Sequence, residues 1–139
     1  ARLSAARITV VARRAAAVDA IRPAALGVPL AGADWPTAVE HTAADVLIST
    51  VPTGVADALA TVATFRPDAV VVDVLYNPWP TLLAAAAAAA GCRVVSGLDL
   101  LLAQAIGQFE RFAGVAAPRA AMAAALDRAR ASGGSSAVS

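Results

Sequence analysis

The residues of this chain that could do chemistry are few, and most lie just after short apolar runs. Arg13 and Arg14 follow Ile-Thr-Val-Val-Ala. Two guanidiniums at a strand end can hold an anion, above all a phosphate, through charge-assisted and often bidentate hydrogen bonds. A solvated strand end has the same composition. Ser49-Thr50-Val51-Pro52-Thr53-Gly54 is a small, turn-forming stretch that lets backbone approach a ligand, although an ordinary strand-to-helix turn looks alike. Tyr76, the only tyrosine, offers a hydroxyl to a polar ligand or packs with a wet tip. Gly97, Leu100 and Gln104 fall at steps of three and four, hence on one helical face. Gln104 interrupts apolar neighbours, and a half-buried amide needs partners for its donors and acceptor. A substrate hydroxyl or a backbone carbonyl would serve. Asp73, inside a valine-rich run, reads as structural, holding a backbone amide at the end of a sheet. His41 lies in a polar stretch and reads as solvated. Cys92 reads as a small buried residue at a strand start. Trp35 and Trp79 flank prolines and read as loop packing.

Composition removes several chemistries. All 11 basic residues are arginine. Without lysine there is no Schiff base, no P-loop lysine and no lysine general acid in this chain. There is no nucleophile–base pair and no pair of carboxylates at helical spacing. One histidine and one cysteine leave no zinc-type spacing and no internal disulfide, so a reducing, cytoplasmic setting is expected. The net charge of +1, with no basic stripe, excludes nucleic acid as an expected partner. The longest apolar run, 81–92, is too short to span a bilayer, so no membrane association is expected. The first residues carry neither a signal-peptide core nor a methionine, and the reading is of a chain that starts inside a longer or processed protein.

Stepping along the sequence, 7–13 is a β-branched run suited to a buried parallel strand. Residues 14–25 are helix formers, stopped or kinked by Pro23. A short strand is expected at 28–30, then a loop or short helix over 31–44. Residues 45–52 form an apolar strand ended by Pro52, and 55–64 a short helix. The strand over 69–74 stops before Pro78-Trp79-Pro80. Thr81 is the expected N-cap of an alanine helix through Ala90, with Gly91 just past its end. A last short strand at 94–96 leads into helices over 98–113 and 118–131. The Gly/Ser-rich segment 132–139 reads as a disordered tail, so the folded unit is 1–131. With 59% apolar and 15% charged residues, 139 residues make one core. Strands alternating with helices, without hairpins, predict an α/β fold: a mostly parallel sheet covered by helices on both faces.

In such a sheet ligands bind beyond the carboxyl ends of the strands. In a dinucleotide fold, arginines rather than a carboxylate at a strand end would pair a 2′-phosphate, which favours NADP over NAD. The usual G-x-G-x-x-G loop between a first strand and first helix is absent, which needs an explanation.

The ordered motifs Asp73-Val74-Leu75-Tyr76-Asn77-Pro78, Thr81, Gly91 and Gly97-Leu98-Asp99-Leu100-Leu101-Leu102-Ala103-Gln104-Ala105 resemble the C-terminal half of the shikimate dehydrogenase family. The stretches 45–54 and 7–14 are similar to that family's strand with a small-polar turn and to its adenosine-phosphate motif. The resemblance implies a Rossmann-like domain that lacks its first strand and glycine loop, and NADPH-dependent reduction of 3-dehydroshikimate to shikimate in aromatic amino-acid biosynthesis. It implies cofactor contacts at Ala12, Arg13, Arg14, Ala17, Thr50, Val51, Val74, Gly97 and Leu100, and substrate contacts at Tyr76 and Gln104. Ala12 stands where the family usually has Asn, Arg14 where it has Thr, and Leu100 where it has Met. The family's catalytic Lys and Asp belong to a separate N-terminal domain. This chain has no lysine, so no catalytic residue is expected within it, and the missing domain is its expected partner at the substrate. A related quinate/shikimate-type dehydrogenase with another substrate or NAD preference, or a non-catalytic nucleotide- or partner-binding fragment, would carry the same residues. A fragment short of one strand exposes apolar surface, and homodimerisation is a further expectation.

Overall fold

The structure, a computed structural model, describes residues 5–133. Strands and helices alternate as the sequence suggests: β1 (Ile8–Ala12), α1 (Ala15–Ile21), β2 (Leu30–Asp34), β3 (Val46–Ser49), α2 (Asp57–Val62), β4 (Val70–Asp73), α3 (Leu82–Ala89), β5 (Arg93–Ser96), α4 (Gly97–Ala113) and α5 (Arg119–Gly133). Each described strand pair is parallel. Ile8 pairs with Leu30 and Ala12 with Asp34, while Ser49, Asp73 and Ser96 align across the carboxyl ends of β3, β4 and β5. This is a Rossmann-like α/β architecture built from strand–helix–strand crossovers.

The parallel ladder comes in two pieces, β1–β2 and β3–β4–β5, and among the described residues no ladder joins them. On β3, Val46 and Ile48 are 39% and 61% exposed. Strands of such composition are ordinarily covered on both faces, so β3 has the sequence of an interior strand and the exposure of an edge.

The core lies under α3. Val71, Leu83, Ala84 and Ala87 are fully or almost fully buried, and α3 packs on β4 and β5. Alanine on the inward face lets the helix lie close to the sheet. Thr81 caps this helix as expected: its Oγ1 accepts from the Ala84 amide at 3.1 Å. Gly91, with φ of 84°, takes the left-handed conformation that ends it. The Gly91 and Cys92 amides then donate back to the carbonyls of Ala88 and Ala87.

Several boundaries differ from the sequence reading. The second strand is not 28–30 but Leu30–Asp34. Its Ala-Gly-Ala centre carries no β-branched signal, and a Cβ on Gly32 would meet Val18 Cγ1 of α1 in tight contact at 3.1 Å. The segment that follows is a 3₁₀ turn, Trp35–His41. The helix expected over 14–25 is α1 plus a 3₁₀ turn, Arg22–Ala25, and the change falls beside Pro23, whose missing N–H breaks the α-helical bonding. Cys92 is only half-buried, its Sγ 3.6 Å from the Arg66 carbonyl oxygen. Helix α5 continues through Ser132 and Gly133. The rest of the expected tail, 134–139, lies outside the described residues, as do residues 1–4.

Candidate functional site

The two arginines stand at the mouth of a cleft. β1 ends at Ala12, and Arg14 begins α1 in extended conformation with no side-chain cap. Arg13 and Arg14 are both exposed. Neither forms an ion pair with a carboxylate among the described residues. Together with Ala12, Ala17, Trp35, Val51 and Val55 they line a cleft of about 210 Å³. The cleft therefore combines two uncompensated guanidiniums with an indole and an apolar floor. That donor set fits a phosphorylated nucleotide: a dianionic phosphate on the arginines, apolar and aromatic surface for a base. Trp35 is the residue that sequence reasoning missed. The signal was available only once β2 was known to run to Asp34, which delivers Trp35 to the carboxyl end of the sheet beside Arg13.

Val51 also lines a second cavity, of about 230 Å³, between the turn after β3 and the proline-rich loop after β4. Thr50 is exposed and lines neither space. Asp73 is 1% exposed at the inner end of the second cavity. Its Oδ1 accepts from the Leu75 amide at 3.2 Å and its Oδ2 from Thr81 Oγ1 at 2.7 Å. The carboxylate thus joins the end of β4 to the cap of α3, which is the structural role expected for it. Ser49 is its register neighbour on β3, and the buried Ser49 Oγ has no hydrogen-bond partner.

Gly97 sits where α4 starts. Its amide donates to the Leu75 carbonyl at 3.1 Å. A Cβ there would lie 2.0 Å from the Val74 carbonyl oxygen and 2.7 Å from its carbonyl carbon. Backbone meets backbone, so only glycine fits. Val74 and Gly97 are therefore brought together, with Leu100 half-buried one turn further along α4. Tyr76 is 51% exposed on the loop after β4, and Gln104 is exposed rather than half-buried. Neither side chain makes a hydrogen bond among the described residues. Leu100, four residues earlier on the same face, is half-buried, but Gln104 itself is exposed, so the expected demand for a buried partner does not arise.

The first turn of α4 is fixed by a capping box. Ser96 Oγ accepts from the Asp99 amide at 3.3 Å, and Asp99 Oδ2 accepts from the Ser96 amide at 2.9 Å and from Ser96 Oγ at 2.7 Å. The Ser-x-x-Asp spacing is a sequence signal for this cap. Asp99 Oδ1 remains free to accept from Arg130 of α5 at 2.8 Å. Partial burial pushes the Asp99 carboxyl up, but the hydrogen bonds from Arg130 and Ser96 outweigh it and hold the pKa down at about 2.

Crossovers between parallel strands, with the cleft and the glycine-tight helix start both at the carboxyl ends, define the chain as a Rossmann-like α/β domain. No protein-family model matches the chain. It is 42% identical to the crystal structure of Mycobacterium tuberculosis shikimate dehydrogenase, with a TM-score of 0.75 over 86% of this chain and 47% of that one. Among curated proteins it is 38% identical to the shikimate dehydrogenase (NADP(+)) of Oleidesulfovibrio alaskensis over 65% of this chain and 35% of the relative. It is 57% identical to that of Cereibacter sphaeroides (strain ATCC 17025) over 49 residues, 18% of that protein. By sequence and by fold the chain is similar to the C-terminal portion of shikimate dehydrogenases. It spans about half the length of the solved relative and about a third or less of the curated ones. Among the described residues no helix is long and apolar enough to cross a membrane.

Proposed function

We propose that this chain is the NADP-binding, C-terminal part of a shikimate dehydrogenase, and that it holds the cofactor without completing the reaction alone. The observation that carries the reading is the pair Arg13 and Arg14, uncompensated at the carboxyl end of β1 and lining one cleft with Trp35 and Val51. The names of the curated relatives, which specify NADP(+), support it. In this reading Arg13 and Arg14 hold the adenosine 2′-phosphate, with Ala12 and Ala17 at the same cleft and Thr50 and Val51 on the turn after β3. Val74, Gly97 and Leu100 lie at the nicotinamide end. Tyr76 and Gln104, exposed and without partners, orient the substrate. The cofactor supplies the hydride; these residues supply position.

No residue here can serve as the family's catalytic lysine, since the chain has none. The lysine and its aspartate come from the N-terminal domain of a complete enzyme. The purified 139-residue chain is expected to show no NADPH oxidation with 3-dehydroshikimate. Sustained NADPH-dependent turnover by this chain alone would overturn the assignment of catalysis to residues outside it.

A further inference from the structure

Arg119 and Arg130 of helix α5 each tie it to α4. At one end Arg119 Nη2 donates to Glu110 Oε1 at 2.9 Å, and the Ala117 amide reaches the same oxygen at 3.4 Å. These bonds hold the Glu110 carboxyl below its usual range. At the other end Arg130 Nη2 donates to Asp99 Oδ1 at 2.8 Å and to Ser96 Oγ at 3.3 Å. The two ties differ in what lies behind them. Glu110 is in the last turns of α4, far along the helix from its start. Ser96 and Asp99 are the cap on which Gly97 is seated.

From Arg130 the contacts run without a break to Gly97 and Val74. The guanidinium holds both members of the capping box. The box fixes the turn that begins with Gly97. The Gly97 amide bonds the Leu75 carbonyl, and its Cα lies against the Val74 carbonyl, too close for any side chain. A slight rotation of this turn would lengthen the Gly97–Leu75 bond and change the spacing of Val74 and Gly97, because that contact has no slack.

We propose that Arg130 is a positioning residue: through Ser96 and Asp99 it sets the separation of Gly97 and Val74 at the nicotinamide end of the cofactor site. The proposal rests on the cofactor reading above. It gives the C-terminal helix a role in the geometry of a site that it does not line. The charge pair is partly exposed, its two side chains 37% and 45% accessible, so the effect is graded and not all-or-none.

The test compares Arg130→Met with Arg119→Met, which cuts the Glu110 tie between the same two helices. Each variant is titrated with NADPH and with 2′-phospho-ADP-ribose, which shares the adenosine end but lacks nicotinamide. Arg130→Met, which removes the bonds to Asp99 and Ser96 and the ion pair with Asp127 on its own helix, is expected to weaken NADPH about 3- to 10-fold, the scale of partly exposed charge-assisted bonds. It is expected to leave 2′-phospho-ADP-ribose within about two-fold, below one such bond. Arg130→Lys should recover most of the NADPH affinity, and Arg119→Met should change neither ligand. Amide exchange gives an independent readout: the Gly97 amide should exchange faster in Arg130→Met and unchanged in Arg119→Met. Equal weakening of both ligands, no weakening, or the same result from Arg119→Met overturns the positioning role while the cofactor reading stands. If the unmodified chain holds neither ligand, the cofactor reading fails and the positioning role fails with it.

Discussion

Replacing Gly97 by alanine is the sharpest structural perturbation available in this chain. The added carbon would lie 2.0 Å from the Val74 carbonyl oxygen, 2.7 Å from the Val74 carbonyl carbon and 3.1 Å from the Leu75 carbonyl oxygen. All three are backbone atoms, so no side chain can rotate away. Over-packing of this kind costs about 1–3 kcal/mol. Displacing α4 also stretches the Gly97–Leu75 hydrogen bond, worth about 1 kcal/mol. Together they give about 2–4 kcal/mol, a large share of the roughly 5–15 kcal/mol that holds an ordinary domain, and a melting temperature lower by about 10 °C. Gly107, in the middle of the same helix, meets nothing within 4 Å where its Cβ would be. Gly107→Ala should therefore stabilise by about 0.5–1 kcal/mol through helix propensity alone. Urea unfolding followed by far-UV circular dichroism, with both variants in one series, separates the two. The reasoning is refuted if Gly97→Ala unfolds at or above the midpoint of the unmodified chain, or if both variants shift together.

Thr81→Ala removes the cap of α3, about 1 kcal/mol, and leaves the buried Asp73 Oδ2 without its donor, about 1–3 kcal/mol more. Thr81→Ser keeps both bonds and should stay close to the unmodified midpoint in the same urea series. Asp99 has a folded pKa near 2 against an ordinary 3.8. Because the folded value is the lower one, its contribution is full above about pH 4 and lost as pH falls through that window towards 2. The urea midpoint of Asp99→Asn should lack this acid-side loss, and an identical pH profile would contradict it. Arg13→Ala with Arg14→Ala should weaken NADPH at least about 10-fold, the loss of charge-assisted phosphate bonds, and leave NADH unchanged; equal losses in a fluorescence titration would remove the arginines from the phosphate site.

The parts of the fold legible in the sequence were those with a strong local cause. The Val-rich run of β4, the Thr81 cap and Gly91 each carry their own signal within a few residues, and each lies where expected. β2 did not: its Ala-Gly-Ala centre has no β-branched signal, and the side chain nearest Gly32 is Val18 of α1, a tertiary neighbour that strand patterns do not show. Of the candidate site, the two arginines are legible as charge at a strand end, but their emptiness of partners is a property of the folded surface. Trp35 could not be assigned until β2 was extended to Asp34. Gln104 shows the limit of counting helical steps, since apolar neighbours in sequence did not bury it. The Ser96–Asp99 box was within reach of pattern reading; its third member, Arg130, is 31 residues from Asp99 and could be found only in three dimensions.

In the proposed function, the cleft at the end of β1 takes a 2′-phosphorylated dinucleotide. Calorimetric titration of the purified chain with NADPH and, separately, with NADH tests it directly. The expected result is NADPH binding at least about 10-fold tighter than NADH, the difference that charge-assisted bonds to one added phosphate supply. Equal affinities, or no binding of NADPH, would contradict it.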